Sequence, residues 1–301
     1  MIKPLTALST GFLSLVNQFR QRPAHNTWPA PVLPDLCVTC LASGAEAGLC
    51  AGCREDLPLN TTACHRCGLP LTLASPGHRL VCGECLRRPP AFERAFIPWR
   101  YQFPLDRMIS RYKYHGQRHF ARPLLTDFGA LARRYLCGSG HPPPQLLVAA
   151  PMHPKRQRRR GFNQAEDIAE AVSGATGIPW RGNLVTRVRA TTAQSGLDRR
   201  QRLSNLRGVF RINGHVPAHV ALVDDVVTTG ATARTLAALL RKHGAQTVEI
   251  WALARTPAQT RAAGGYHQRH ASTQPFPDLP GNGQAGGQTR RLDAEEIDQP
   301  R

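Results

Sequence analysis

HVALVDDVVTTGATARTLAALLRKHG, residues 219–244, decides the fold of this chain. Val220 to Val223 is a short apolar run of the kind that fills a central strand, and the pattern from Ala233 to Lys242 predicts a helix stopped by Gly244. Between them stand two adjacent carboxylates, Asp224 and Asp225, and a turn of small residues, Thr228, Thr229, Gly230, Ala231 and Thr232. A helix start offers unpaired backbone N–H groups and the positive end of the helix dipole, so a phosphate monoester fits there, and threonine hydroxyls add donors. Gly230 lets the backbone come close to a ligand. Two carboxylates at a strand's end accept hydrogen bonds from vicinal sugar hydroxyls or hold Mg²⁺ through water. One phosphorylated sugar uses both halves. The alternative is an ordinary strand-to-helix connection capped by threonine, with two surface aspartates.

Working outward, Leu146 to Ala150 reads as a second buried strand and Thr247 to Ala254 as a third. Helices are expected over Pro104 to Gly116, with Met108, Ile109 and Tyr112 on one face, and over His119 to Leu136, with Leu124, Leu125, Phe128 and Leu131. A further helix runs from Asn163 to Ser173, where Asn163 and Glu166 have capping-box spacing. Trp99, Tyr101 and Phe103, alternating with Arg100 and Gln102, read as a strand with one buried face. Strands alternating with helices indicate an α/β parallel sheet flanked by helices, whose ligands sit at the carboxyl ends of the strands.

Upstream, eight of the nine cysteines fall in four Cys-x-x-Cys pairs: Cys37 and Cys40, Cys50 and Cys53, Cys64 and Cys67, Cys82 and Cys85. Two such knuckles complete a tetrahedral thiolate site that suits Zn²⁺, so eight ligands imply two structural ions. In sequential pairing, Cys37, Cys40, Cys50 and Cys53 hold one and Cys64, Cys67, Cys82 and Cys85 the other; crossed pairing and iron–sulfur ligation remain open at this stage. A disulfide framework needs export, and the first segment, interrupted by Ser9, Thr10 and Ser14, makes a poor signal peptide. Cytoplasmic residence is therefore expected. No stretch approaches the roughly 20 apolar residues of a membrane span, so no membrane insertion is expected. His65, inside the third knuckle, reads as a loop histidine and Cys137 as a partly buried thiol.

These features divide the chain into an amino-terminal segment and linker (1–36), a Cys-rich double zinc-ribbon module (37–90), an α/β domain (91–256) and a Gly/Pro-rich tail read as disordered (257–301). With little apolar content of its own, the module is expected to depend on its metal for folding. Lys plus Arg exceed Asp plus Glu by 39 to 20, giving +19, which favours polyanions such as nucleic acid or a substrate phosphate.

A second segment, APMHPKRQRRRGFNQAEDIAEA (150–171), leaves a buried strand, passes a basic loop from Lys155 to Arg160 and turns at Gly161 into a helix. Backbone N–H groups of Met152 and His153 with the Arg160 guanidinium can face a diphosphate there; a solvated basic loop is the alternative.

Val220 to Thr232 resembles the phosphoribosyl pyrophosphate (PRPP) motif of type I phosphoribosyltransferases. With the P-M-H and R-G-F-N-Q blocks, a spaced block from Thr192 to Phe210 and the Cys-x-x-Cys module, roughly residues 33 to 256 resemble the ComF family. The resemblance implies a phosphoribosyltransferase-like fold carrying a zinc ribbon, a role in DNA uptake and natural transformation, and PRPP with Mg²⁺ as ligand. It places Asp224 and Asp225 on ribose hydroxyls, Thr228, Thr229, Gly230, Ala231 and Thr232 around the 5-phosphate, and Arg160 toward pyrophosphate. The segment Thr186 to Arg211 then corresponds to the mobile loop, with Arg199, Arg200 and Arg202 among its arginines. No segment reads an acceptor base, because the zinc module takes the place of the usual hood. Three readings stay open: a transferase or PRPP-binding protein, a nucleic-acid-binding module that contacts single-stranded DNA, and an adaptor for a DNA-uptake helicase.

Overall fold

The structure, a computed structural model, describes residues 35–72, 80–114, 117–189 and 208–258. The amino-terminal segment, the tail, His115 and Arg199, Arg200 and Arg202 lie outside the described residues.

In the cysteine module, helix α1 (Ala51–Glu55) begins at Cys50 and α2 (Gly83–Arg87) at Cys82, so in each half a knuckle cysteine is also a helix N-cap. Strands β1 (Arg94–Phe96) and β2 (Trp99–Arg100) follow, then α3 (Leu105–Tyr114), a 3₁₀ turn (Arg118–Phe120) and α4 (Ala121–Gly138). The rest of the chain alternates: β3 (Leu146–Ala149), α5 (Pro154–Arg160), α6 (Gln164–Thr176), β4 (Trp180–Arg181), β5 (Val185–Arg187), β6 (Phe210–Ile212), β7 (His219–Val227), α7 (Ala231–Lys242) and β8 (Thr247–Arg255).

Six strands form one sheet in the order β1-β8-β7-β3-β4, with β2 continuing beyond β1 along the edge of β8. All of its pairs are parallel. Helices flank it, as the alternating sequence demands. The two central strands carry unbroken apolar runs: Val220 to Val223 and Ile250 to Ala254 are buried throughout, the signature of a strand covered on both faces. At its β1 edge the sheet packs on α4 through Phe96, which stacks on Phe128 at 5.2 Å and Tyr135 at 4.8 Å and meets Trp251 edge-on at 5.5 Å. Buried in β8 is one acid, Glu249, held by Arg94, His219, Trp251 and Tyr135.

Several elements differ from their sequence reading. Strand β7 runs three residues past Asp224, because Val226 and Val227 continue to pair with Ala254 and Arg255 of β8. The basic run is not a loop but helix α5, with Pro154 in its first turn, a hydrogen bond from Lys155 N–H to His153 Nδ1 (3.2 Å), and Gly161 at φ 83° ending it. The expected strand through Phe103 stops at Arg100: Trp99 is buried against Phe128, whereas Phe103 is exposed. Cys137, at the end of α4, is exposed rather than partly buried.

The cysteine module also leans on the sheet more than its composition implies. Cys37, Leu49 and Leu57 belong to the same buried core as β7 and β8, and Leu59 bridges to Trp99. Among the described residues, only Cys64, Cys82 and Cys85, packed with Leu69, Leu71 and Val81, form a separate small cluster. Metal is thus not the sole support of the first half.

Candidate functional site

The acid pair lies where β7 approaches its carboxyl end. Asp225 N–H donates to Asp224 Oδ1 at 2.8 Å and Val226 N–H to Asp225 Oδ1, so each carboxylate is tied to the backbone that follows it. Across the cleft, Lys113 on α3 places Nζ 2.8 Å from Asp225 Oδ2, both side chains largely shielded from solvent. Burial and the neighbouring Asp225 charge push the Asp224 carboxyl up to about 7. Burial opposes the Lys113 ammonium, but the Asp225 carboxylate outweighs it and raises the lysine above its ordinary value. Lys113 is therefore the resident counter-charge of the pair.

Beyond Val227 the chain turns at Gly230, whose φ of 72° is the left-handed conformation that favours glycine, and enters α7 with no side-chain cap. The first-turn N–H groups of α7 are thus left for a ligand, with the helix dipole behind them. The carbonyls at the start of the turn are engaged on the other side: Arg255 Nη1 donates to Val227 O at 2.9 Å, to Thr228 O and to Thr256 O at 2.9 Å.

A cleft of about 210 Å³ joins these groups to the basic segment. Asp224, Asp225 and Thr232 line it on the β7 side, Lys113 and Tyr114 come from α3, and Pro151, Met152, Arg156, Arg160, Asn163 and Gln164 from the segment after β3. Arg187 of β5 adds another guanidinium. Arg160 donates to Gln164 Oε1 at 2.7 Å and lies over the Tyr114 ring at 5.2 Å, which fixes its head at the cleft wall. Asn163 anchors the segment, donating to Ala150 O at 3.1 Å and to Glu166 Oε1 at 3.3 Å while accepting from Ala165 N–H. Acidic floor, open helix start and basic wall together suit a sugar carrying phosphates at two positions.

Of the residues singled out in the sequence, Asp224, Asp225, Thr232, Met152 and Arg160 line this one cleft. His153 does not line it; its ring caps α5, and partial desolvation, then the Arg187 and Lys155 charges, push it below its ordinary pKa. Thr229 and Gly230 line a second cavity behind the turn, Thr228 is exposed and Ala231 is buried. Lys113, Tyr114 and Arg187 were missed as site residues. Lys113 sits on a helix whose apolar face was legible, but nothing in local spacing puts its polar face opposite Asp225.

The eight paired cysteines form two quartets, Cys37, Cys40, Cys50, Cys53 and Cys64, Cys67, Cys82, Cys85, with the ligand atoms of each within 4.8 Å of one another. That is the sequential pairing. Backbone donors at Cys50, Cys40 and Thr39 overcome burial and lower the Cys37 thiol to about 6, and a hydrogen bond from Cys67, against burial, lowers Cys64 to about 4. Burial and the neighbouring sulfurs push Cys53 up; Cys64, then burial, push Cys67 up. Four sulfurs so close cannot all ionise without a cation among them, and a tetrahedral Zn²⁺ fits each quartet.

Residues 30–86 match the double zinc ribbon domain family. DNA utilization protein YhgH of Salmonella typhi is 36% identical over 231 residues, 74% of this chain and 98% of that protein. Competence protein F of Haemophilus influenzae is 34% identical over 215 residues, 70% of this chain and 92% of that protein. Competence protein ComFC of Streptococcus pneumoniae is 29% identical over 156 residues, covering 52% and 65%. Among solved structures, a purine phosphoribosyltransferase from Pyrococcus horikoshii overlaps with TM-score 0.28 at 19% identity, over 44% of this chain and 82% of that one. A hypoxanthine phosphoribosyltransferase from Trypanosoma cruzi overlaps with TM-score 0.30 at 14% identity, over 48% and 72%. No described helix is long and apolar enough to cross a membrane.

Proposed function

The chain belongs to the ComF family, that of competence protein F and DNA utilization protein YhgH, and from that premise we propose that it binds PRPP with Mg²⁺ in the handling of DNA. The observation that carries this reading is the convergence of the Asp224–Asp225 pair, Thr232 at the uncapped start of α7, and Arg156 and Arg160 on one cleft.

In this reading the first-turn amides of α7 and Thr232 take the 5-phosphate, Asp224 and Asp225 accept from the ribose hydroxyls, and Arg156 and Arg160 hold the pyrophosphate. Asp224 and Asp225 would also hold Mg²⁺ through water, which would supply charge neutralisation to the leaving pyrophosphate. When transfer occurs, the C1–O bond breaks with its electrons leaving on pyrophosphate, and an acceptor nucleophile forms the new bond at C1. The protein's share is orientation and fixed positive charge. Support for the DNA-linked role comes from the relatives' names and from the net charge of +19. Single-stranded DNA phosphates and a DNA-uptake helicase are the partners this role implies, and Arg156, Arg160 and Arg187 on one cleft favour phosphate contact.

The test is calorimetric titration of the zinc-loaded chain with PRPP, with and without Mg²⁺. Binding that strengthens with Mg²⁺ is expected; heat-free titration of folded protein contradicts the reading.

A further inference from the structure

Two arginines tie the second cysteine quartet to the turn at residues 228–232. Arg255, buried at the end of β8, donates from Nε to Cys67 O at 3.2 Å while its Nη1 holds Val227 O at 2.9 Å and Thr228 O. Arg234, in the first turn of α7, donates from Nη1 to Arg88 O at 2.9 Å and from Nη2 to Cys85 Sγ at 3.8 Å. A cavity of about 120 Å³ separates the two features, lined among others by Cys67, Cys82, Thr229, Gly230, Arg234 and Arg255. The knuckle is pressed against the sheet domain: Gly68, after Cys67, has φ 67°, and a Cβ there would meet Ile97 Cδ1 at 2.7 Å.

The first quartet grips a different element. Arg54, beside Cys53, donates from Nε to Asp127 Oδ2 of α4 at 3.0 Å, and Gly48 faces Pro123.

We propose that Arg255 and Arg234 are positioning residues through which a metal ion at Cys64, Cys67, Cys82 and Cys85 sets the geometry of the phosphate turn, coupling ion retention there to ligand binding. A bound ion fixes the Cys67 carbonyl and the Cys85 sulfur. The Arg255 guanidinium spans from the Cys67 carbonyl to the Val227 and Thr228 carbonyls, whereas both ends of the Arg234 guanidinium lie on the cysteine module, at Cys85 Sγ and Arg88 O, and its backbone carries the hold into α7. Without the ion the knuckle is free to move, both arginines lose an anchor, and the carbonyls of Val227 and Thr228 lose a fixed donor. A buried guanidinium that loses the acceptor of its Nε is costly, so Arg255 shifts to recover one and the turn whose carbonyls it also holds shifts with it. Linkage requires the reverse effect: a ligand that fixes the turn holds the ion more tightly by the same factor. The first quartet, anchored on α4, lies outside this coupling.

The ligand side rests on the PRPP reading, and the experiment separates the two. Zinc is withdrawn from the full chain by a chelator with and without saturating Mg-PRPP, and alkylation with mass spectrometry records which quartet is freed. The expected result is that PRPP slows release from the second quartet about tenfold and from the first less than about twofold. In Arg255→Lys, which keeps the charge but loses the fork, and in Arg234→Gln, the protection falls although zinc content is intact. Equal protection of both quartets, protection of neither with PRPP bound, or full protection in both variants overturns the proposal. If calorimetry on the same sample finds no PRPP binding, the functional reading fails and hydrogen exchange decides the coupling. Faster exchange of amides 228–233 after loss of the second ion upholds it, and unchanged exchange overturns it.

Discussion

Lys113 Nζ lies 2.8 Å from Asp225 Oδ2, so the carboxylate that would meet a sugar hydroxyl or a hydrated cation already has a cationic partner from helix α3. In the proposed PRPP reading, Mg²⁺ would supply the acid pair with the same kind of countercharge as Lys113. Replacing Lys113 by Met is expected to weaken PRPP binding about tenfold in the absence of Mg²⁺ and to leave a smaller deficit at millimolar Mg²⁺. Calorimetry at the two Mg²⁺ levels checks this. A deficit that Mg²⁺ does not reduce shows instead that Lys113 contacts the ligand itself.

What could be read from the sequence here follows from locality. Strand, acid pair, turn and helix are consecutive from Val220 to Lys242, and each knuckle spans four residues, so spacing alone displays the turn, the parallel α/β order and the four knuckles, while their pairing into quartets comes from the fold. The Lys113–Asp225 pair and the Arg255 fork join residues far apart in the chain, and no period or spacing encodes them. Helix α5 was legible but misread. Pro154 and Gly161 mark its two ends, yet the basic run between them, from Lys155 to Arg160, reads as a loop because it carries no apolar stripe of helical period. Arg255 was passed over because β8 was expected to end at Ala254, one residue short of the side chain that links β8 to the turn.

Glu249 is the buried acid of the central sheet, and its partners set a pH dependence of stability. Burial raises its pKa, but hydrogen bonds from His219 and Trp251, with the Arg94 charge, bring it below the ordinary 4.5. A carboxyl depressed in the folded state contributes stability that is present above its unfolded pKa and lost as pH falls through its folded pKa. Thermal melts of the wild type should therefore lose stability on acidification below about pH 4.5, and Glu249→Gln should lack that part of the slope. At neutral pH the variant should be less stable by about 3 kcal/mol, because Arg94 is left buried beside a neutral partner. Equal acid slopes in both proteins contradict this assignment.

Arg199, Arg200 and Arg202 belong to the arginine-rich segment between β5 and β6, beyond the described residues. If that segment contacts single-stranded DNA phosphates, replacing all three by Gln should flatten the plot of log affinity against log salt by about 2 units. Fluorescence anisotropy with a labelled oligonucleotide measures the slope. An unchanged slope means that these arginines do not bind nucleic acid.

The central claim is that the acid pair and the turn after β7 bind PRPP, and calorimetry of the wild type beside the Asp224→Asn, Asp225→Asn double variant tests it most directly. With both proteins carrying equal zinc and melting alike, the wild type should bind Mg-PRPP and the variant should give no measurable binding. Equal binding by the two proteins contradicts the claim.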